Sequence, residues 1–424
     1  MATITSELST KAKAARTASR ELRTASTDAK NAALEAIAAA LEAHQDPIVE
    51  ANALDMEAGR AAGLTDALLD RLMLDEARLR GMAADVRAIV RLPDPIGETF
   101  DGRTLPNGLR IERRRVPLGV IGAIYESRPN VTVDIAALCL KSGNAVVLRG
   151  GKEAQHSNRA LGRLVRDAID SAGITREAVQ QIEDTDRTLV DEMIRANEFF
   201  DLIIPRGGPG LIHHVARNAT VPAITGGIGV VHAFADATAN VEKAADIVFN
   251  AKVQRPTVCN ALDTLLVHSA VAPRLLPAVA SRLLPAGVEM RCDRRALSLL
   301  GPMKDGLVKE AEPTDFGQEF LALVLSVRVV DSLDEAIEHI ERHGSGHTET
   351  ILTEDYTNAN RFLDEVDAAV VMVNASTRFN DGGQLGLGAE VAISTNKLHA
   401  RGPMGLRELT SYKWIARGNG QVRP

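Results

Sequence analysis

The stretch Val116-Pro-Leu-Gly-Val-Ile-Gly-Ala-Ile-Tyr125 is almost entirely apolar, and Ala145-Val-Val-Leu148 repeats that character. Further short apolar runs lie at 202–204, 221–225 and 230–235, and helical stretches such as 158–172 and 185–198 separate them. Continuous apolar runs of this length are typical of strands buried on both faces. Their alternation with helices predicts an open α/β sheet that is covered on both sides.

A second α/β block follows the first. Its apolar runs cover 262–268, 322–330, 350–352 and 369–373. Ser332 and Glu335 have the spacing of a capping box, so we expect a helix that begins after Ser332 and ends near Gly344. No internal repeat links the two blocks.

The N-terminal region has a different pattern. Residues 6–90 show helical spacing, with one helix capped by Ser26 or Thr27 and similar spacing over 64–90. The pair Asn107-Gly108 then predicts a hairpin turn just before the arginine triplet 113–115. We interpret that triplet as a solvated or intersubunit strand face.

The composition of the 424 residues excludes several classes of protein. A hydrophobic content of 45% with 25% charged residues is typical of a soluble globular protein. The net charge of −7 and the isoelectric point of about 5.9 argue against a general nucleic-acid binder. No apolar run reaches the roughly 20 residues of a membrane helix. Three cysteines, an odd number, give no disulfide framework, so we expect a cytoplasmic protein.

Cys259 has unusual neighbours for a cysteine, because Lys252, Gln254, Arg255, Thr257 and Asn260 surround it in sequence. Most cysteines are small core hydrophobes, and Cys139, in an apolar helical run, fits that interpretation. Cys292 carries no chemical signature either. Nearby positive charge favours the thiolate, which is the nucleophilic form. We therefore expect Cys259 to be the catalytic nucleophile.

Two glycine-rich turns follow predicted strands, namely Arg149-Gly-Gly-Lys152 and Arg206-Gly-Gly-Pro-Gly210. Neither is a Walker A or a Rossmann fingerprint, and each alone is an ordinary strand-to-helix turn. Two such turns at the ends of consecutive predicted strands, each with a basic residue, favour a dinucleotide crevice. We assign Arg149, Lys152, Gly207 and Gly208 to cofactor binding. No metal site is expected, because His343 and His347 lack further ligands at suitable spacing.

Several long motifs together resemble the gamma-glutamyl phosphate reductase family, a branch of the aldehyde dehydrogenase superfamily. These motifs are 116–134, 143–153, 225–232, 254–260, 373–383 and 398–406. They follow the family's order and span essentially the whole chain. The resemblance implies an aldehyde dehydrogenase-like α/β fold with an open twisted cofactor domain, an α/β catalytic domain and a small β oligomerisation element.

The resemblance also implies how the chain is divided. The dinucleotide-binding domain would cover 1–102 and 116–228, and the catalytic domain 229–372. The segment 373–399 would return to the cofactor domain. The oligomerisation element would comprise 103–115 and 400–424.

The implied reaction is the NADPH-dependent reduction of gamma-glutamyl phosphate to glutamate-5-semialdehyde with release of phosphate, the second step of proline synthesis from glutamate. Cys259 would form a thioester. Its backbone amide, with the Asn130 side chain, would stabilise the oxyanion. The implied partners are the small-molecule substrate and further copies of the chain, with glutamate 5-kinase as a hypothesis. We expect a stand-alone reductase with no kinase segment of its own.

The remaining site residues are carried over from the family. Glu319, beside Phe320, matches the glutamate that holds the nicotinamide ribose. Lys152 would meet the adenosine 2′-phosphate, although a plain surface charge explains it equally well. The cofactor assignment also includes Gly226 and Gly227. Arg128, His399 and Arg401 are expected to hold the substrate carboxylate or phosphate.

One departure from the superfamily is informative. Hydrolytic aldehyde dehydrogenases carry a glutamate base just before a Gly-Gly pair, whereas Ile224-Thr225 precedes Gly226-Gly227 here. An enzyme that exchanges its thioester with phosphate should not activate water. Three alternatives stay open: a CoA-acylating aldehyde dehydrogenase, a hydrolytic one, and a catalytically silent dinucleotide-binding scaffold.

Overall fold

The apolar runs of the first block form a parallel sheet in the computed structural model, which describes residues 7–224, 226, 228–301 and 306–423, the side chain of Ala67 aside. The chain separates into two units. Unit 1 comprises Met1–Thr225, Gly386–Ala392 and Met404–Pro424. Unit 2 comprises Gly226–Leu385 and Ile393–Pro403.

Unit 1 contains a helical N-terminal region and two sheets. Its helices are α1 (Glu7–Leu22), α2 (Thr27–Ala43), α3 (Gln45–Ala61), α4 (Asp66–Leu72), α5 (Glu76–Arg91), α6 (Val131–Lys141), α7 (Gln155–Ser171), α8 (Thr188–Met193) and α9 (Pro209–Asn218). Its strands are β1 (Thr99–Thr104), β2 (Arg110–Pro117), β3 (Val120–Tyr125), β4 (Ala145–Gly150), β5 (Val179–Ile182), β6 (Leu202–Arg206) and, from the C-terminal segment, β16 (Thr410–Arg417).

The main sheet of unit 1 has the parallel order β5-β4-β3-β6. Strands β3 and β4 are buried along their whole length, which explains their continuous apolar sequences. The order of the strands along the chain reverses between β3 and β6. A reversal of this kind opens a crevice at the carboxyl ends of the strands, where dinucleotides bind in other open α/β sheets.

The second sheet of unit 1 is antiparallel, in the order β1-β2-β16. Its β1–β2 connection contains Asn107-Gly108, as the sequence predicts. Arg113, one of the arginine triplet, stacks over the rings of Tyr412 and Trp414 at 4.8 and 4.7 Å from their centroids. Both aromatic side chains are about half exposed.

Unit 2 is built on a parallel sheet in the order β10-β9-β11-β8-β7-β12-β13. Its elements are β7 (His232–Ala235), α10 (Val241–Val253), β8 (Thr264–His268), α11 (Ala272–Leu283), β9 (Glu289–Cys292), α12 (Arg294–Leu300), β10 (Val308–Glu310), β11 (Val324–Val330), α13 (Leu333–His343), β12 (Thr348–Leu352), α14 (Tyr356–Glu365), β13 (Val370–Val373), β14 (Ile393–Ser394) and β15 (Gly402–Pro403). Short 3-10 turns occur in the two units at Lys152–Ala154, Arg176–Ala178, Leu284–Ala286, Pro313–Gly317 and Thr377–Phe379. Apolar cores cover both faces of the sheet.

The helix caps partly follow the sequence. Ser26 caps α2 by accepting the Ala29 amide, as predicted. Ser332 Oγ accepts the Glu335 amide at 3.1 Å, but Glu335 accepts the amide of Asp331 rather than that of Ser332, so only half of the capping box forms. The prediction of one continuous helix over 64–90 is wrong, because Asp75 caps a new helix and separates α4 from α5.

Two further predictions fail in part. The run 221–225 forms no strand among its described residues and contributes only a bridge between Ile203 and Ala223. The helix expected over 185–198 is restricted to α8. Among the described residues, no helix combines the length and apolar character needed to cross a membrane.

Candidate active site

Cys259 lies on the loop between α10 and β8, at the amino end of β8 in unit 2. Its side chain is partly exposed, whereas Cys139 and Cys292 are buried. Burial raises the pKa of both buried thiols, for Cys292 to about 12. Cys259 is therefore the cysteine whose position suits a nucleophile, as the sequence predicts.

The residue after the cysteine fixes the loop. Asn260 is buried, and its side-chain amide donates to the Asn380 carbonyl at 2.8 Å. The Asn260 carbonyl accepts the Thr377 hydroxyl at 2.8 Å. Asn380 in turn donates to the Thr348 hydroxyl at the start of β12. Asn260 thus anchors the loop to the segment that follows β13.

Gly229 lies directly against the Cys259 backbone. A Cβ atom at Gly229 would come within 1.7 Å of the Cys259 carbonyl oxygen, so only glycine permits this approach. The Gly229 amide donates to Glu319 Oε1 at 3.1 Å. The structure therefore brings Cys259 and Glu319, both predicted from the sequence, to the same glycine. Sequence reasoning missed Gly229, although it falls within the motif 225–232.

The segment that begins at Gly229 is held by side chains along its length. Its four successive amides, from residues 229 to 232, each donate to a side-chain oxygen, and the acceptors are Glu319, Ser345, Asp263 and Glu349. Because the acceptors come from three separate stretches of unit 2, at 263, 319 and 345–349, the Gly229–His232 segment has little freedom to move relative to Cys259.

Lys252, one of the basic neighbours of Cys259 in sequence, is fully buried. Its ammonium group donates to the Leu262 carbonyl at 2.7 Å and lies 3.8 Å from Asp263. The charge of Lys252 is therefore balanced inside unit 2. Phe320, whose amide donates to Asp263, lies beside this pair.

The carboxyl end of β3 in unit 1 leads to Arg128 and Asn130. Asn130 stands at the start of α6 and donates its side-chain amide to Asp134 Oδ2 at 2.8 Å, which fixes its orientation. Burial raises the pKa of Asp134 to about 7, while the Asn130 hydrogen bond opposes the shift. Arg128 is half-buried two residues earlier.

The carboxyl end of β4 carries Arg149 and Lys152. Arg149 is buried and donates to the carbonyls of Thr185 and Asp186 at 2.7 and 3.1 Å. These bonds give Arg149 a role in holding the loop after β5. Lys152 is exposed at the start of a 3-10 turn, where its ammonium group can reach an anion.

The carboxyl end of β6 carries Gly207 and Gly208, and α9 begins immediately after them. The Gly208 amide donates to Glu126 Oε2 at 3.0 Å, so a carboxylate lies at this helix start. Backbone amides at a helix start suit an anion. The turns after β3, β4 and β6 lie along one edge of the sheet of unit 1. The two glycine-rich turns were predicted at consecutive strand ends, but β5 lies between β4 and β6 in the chain, and β3 separates them in the sheet.

The other predicted residues belong to unit 2. A Cβ atom at Gly226 would lie 2.4 Å from the Thr395 amide nitrogen, so this glycine permits a close backbone approach. Gly227 and Thr225 lie outside the described residues. Arg401 pairs with Asp367 at 2.7 Å, and His399 is exposed two residues earlier. Within the described ranges, no group of three or more His, Cys, Asp or Glu side chains is arranged to hold a metal ion.

The sequence matches the model of the aldehyde dehydrogenase family over residues 3–305 and 312–415. The chain belongs to the aldehyde dehydrogenase family. Among curated relatives, the gamma-glutamyl phosphate reductase of Dehalococcoides mccartyi (strain CBDB1) is 59% identical over 417 residues, 98% of each chain. That of Roseiflexus castenholzii is 57% identical over 383 residues, 90% of each chain.

A solved crystal structure agrees with the fold described above. The crystal structure of gamma-glutamyl phosphate reductase from Thermotoga maritima matches with a TM-score of 0.95 at 47% identity and covers 99% of this chain and all of that one. The predicted aldehyde dehydrogenase-like fold is therefore confirmed.

Proposed function

We propose that the chain reduces gamma-glutamyl phosphate to glutamate-5-semialdehyde with NADPH and releases phosphate, as the second step of proline synthesis. The half-buried Cys259, fixed by Asn260 and covered by Gly229, is the observation that carries this proposal. The names of relatives that match almost the entire chain support the choice of substrate.

The chemistry follows from the thiolate. Cys259 Sγ attacks the acyl-phosphate carbonyl carbon, the bond from that carbon to the phosphate oxygen breaks, and a thioester remains. When bound, NADPH supplies a hydride to the thioester carbon. The resulting oxyanion is assigned to the Cys259 amide and Asn130. The oxyanion re-forms the carbonyl as the carbon–sulfur bond breaks, which releases the aldehyde and restores the thiolate.

The cofactor assignment rests on unit 1. Its strand reversal and the exposed Lys152 suit a phosphorylated dinucleotide. Glu319 is assigned to the nicotinamide ribose, with Phe320 beside it. Arg128, His399 and Arg401 are assigned to the carboxylate and phosphate of the substrate.

The domain assignments follow the family. Residues 1–102 and 116–228 are assigned to cofactor binding, 229–372 to catalysis and 373–399 to the return segment. Residues 103–115 and 400–424 are assigned to homo-oligomer formation, for which the half-exposed Tyr412 and Trp414 on β16 provide an apolar surface. A cytoplasmic location and an association with glutamate 5-kinase complete the proposal.

The test is the reverse reaction, in which glutamate-5-semialdehyde and NADP⁺ form NADPH. We expect continuous turnover only when inorganic phosphate is present, and no NADPH from Cys259→Ala. Cys292→Ala is the matched control and should retain turnover, because Cys292 is buried in β9.

Other outcomes separate the alternatives. Turnover without phosphate indicates a hydrolytic dehydrogenase, and turnover that requires CoA indicates an acylating one. A chain that binds NADP⁺ but never reduces it is a silent scaffold. Full activity of Cys259→Ala would remove the thioester mechanism.

A further inference from the structure

A buried carboxylate, that of Asp263, holds two backbone segments of unit 2 at once. Asp263 Oδ1 accepts the Phe320 amide at 3.1 Å, and Oδ2 accepts the Val231 amide at 3.3 Å. The residue is 2% exposed. Since the two amides are 89 positions apart in the chain, this carboxylate fixes a contact that no local structure would create.

Lys252 is the counter-ion of this carboxylate. It is fully buried, with its Nζ 3.8 Å from Asp263 Oδ1 and 5.9 Å from the centroid of the Phe320 ring. Burial lowers the pKa of Lys252 and raises the pKa of Asp263, and the attraction between the two charges opposes both shifts. Arg291 lies over the same ring, 5.2 Å from its centroid.

Both segments lead directly to the candidate active site. Val231 lies two residues after Gly229, which covers the Cys259 carbonyl. Phe320 follows Glu319, whose carboxylate accepts the Gly229 amide. Asp263 therefore links the Gly229–His232 segment to the Glu319–Phe320 pair a second time, in addition to the Gly229–Glu319 hydrogen bond.

Buried ion pairs are costly, and apolar side chains of similar volume often replace them without loss of stability. Stability alone is thus a weak explanation of the Lys252–Asp263 pair. Its geometry offers a better one, because a carboxylate can accept two amides from different segments whereas an apolar side chain accepts none.

We propose that Asp263, with Lys252 as its counter-ion, is a positioning residue that fixes Glu319 relative to Cys259 for hydride transfer. This inference rests on the proposed function. Asp263 accepts the amide of Phe320, the residue after Glu319, which is assigned to the cofactor. Asn260 anchors the Cys259 loop separately. Hydride transfer should therefore depend on Asp263 far more than the reactivity of the thiol does.

The test uses Asp263→Asn, which keeps the size of the side chain but leaves one acceptor oxygen for the two amides. Glutamate-5-semialdehyde and NADP⁺ are mixed with enzyme in the absence of phosphate, and the single-turnover formation of NADPH reports hydride transfer. Alkylation by iodoacetamide reports the reactivity of Cys259. We expect the NADPH burst to slow by about 10²-fold, the cost of a misplacement of about 1 Å, while alkylation changes less than about threefold.

Asp236→Asn is the matched control. Asp236 is a buried carboxylate of the same unit, 2% exposed, that accepts the Thr353 hydroxyl at 2.7 Å. It follows the carboxyl end of β7, whereas Gly229 precedes the amino end of that strand. Burst and alkylation rates of this variant should both match the wild type.

Asp263→Asn leaves the buried charge of Lys252 without its counter-ion, which could prevent folding. A second variant therefore removes that charge as well. The double variant Lys252→Met with Asp263→Asn carries no unbalanced buried charge and should show the same slow burst. Equal losses of burst and alkylation, or an unchanged burst, would overturn the proposal. If the wild type forms no NADPH, both the proposed function and the role of Asp263 are rejected. If the wild type is active and Asp263→Asn is unaffected, only the role of Asp263 is rejected.

Discussion

Gly229→Ala gives the sharpest test of the site geometry. The added Cβ atom would lie 1.7 Å from the Cys259 carbonyl oxygen, 2.7 Å from its carbonyl carbon and 3.1 Å from its Cα atom. Ordinary contacts between such atoms begin near 3.4 Å. The two segments must therefore separate by roughly 1.7 Å, and backbone on both sides leaves no flexible side chain to absorb the shift.

The consequence for the rate follows from this displacement. A misplacement of about 1 Å costs on the order of 10²-fold in rate. We therefore expect kcat/KM of Gly229→Ala in the phosphate-dependent assay to fall by at least about 10²-fold, which is about 2.7 kcal/mol in the barrier.

Gly81→Ala is the control for the chemical change itself. Gly81 is exposed in α5, and an added Cβ atom there meets nothing within 4 Å. This substitution should leave kcat/KM unchanged and stabilise the helix by about 0.5–1 kcal/mol. Circular dichroism and urea unfolding show whether each variant is folded. A folded Gly229→Ala enzyme with activity within threefold of wild type would refute the reasoning.

Three predictions concern stability. Burial lowers the pKa of His347 to about 4, so as the pH falls the unfolded chain binds the proton before the folded chain does. The free energy of unfolding should therefore fall by about 3 kcal/mol between pH 6.5 and 4. Urea unfolding of His347→Asn should show a smaller loss over the same range, and an equal loss would contradict this origin. Asp55 accepts the amides of His156 and Ser157 and the Ser157 hydroxyl, so Asp55→Asn should lower the free energy of unfolding in urea by about 1–3 kcal/mol. Gly122→Ala places a Cβ atom 2.6 Å from both Ile203 Cδ1 and Met193 Cε, and overpacking should cost about 1–3 kcal/mol in the same measurement; no loss for either variant would contradict the packing described.

The strands were predictable where burial was continuous. Strands β3 and β4 are buried along their length, and their continuous apolar sequences predict this burial. The run 221–225 is apolar too, with Val221 and Ile224 buried. Pro222 has no amide to donate to a ladder, so burial there occurs without a strand. An apolar run thus predicts burial more reliably than it predicts pairing.

The chemistry of single residues was harder to predict than the motifs that contain them. Cys259 was predicted from its polar and basic neighbours and Glu319 from its match to the superfamily glutamate, and the structure brings both to Gly229. Lys252 was expected to supply positive charge near the thiol, but its charge is balanced by Asp263. Local sequence cannot reveal such pairings, because the acceptor of a buried charge is decided by tertiary structure.

The Gly229–His232 segment shows why the arrangement around Cys259 is hard to predict from the sequence. Ladder pairing with β8 and β12 begins only at His232, so the preceding amides have no strand partner and would be buried without acceptors. Side chains 32 to 115 positions away supply acceptors for these three amides, and two of the three acceptors are carboxylates. Carboxylates suit this task because they accept without donating and can serve two amides each. Asp263, Glu319 and Glu349 therefore stabilise the irregular backbone that precedes β7, which must stay fixed beside the nucleophile.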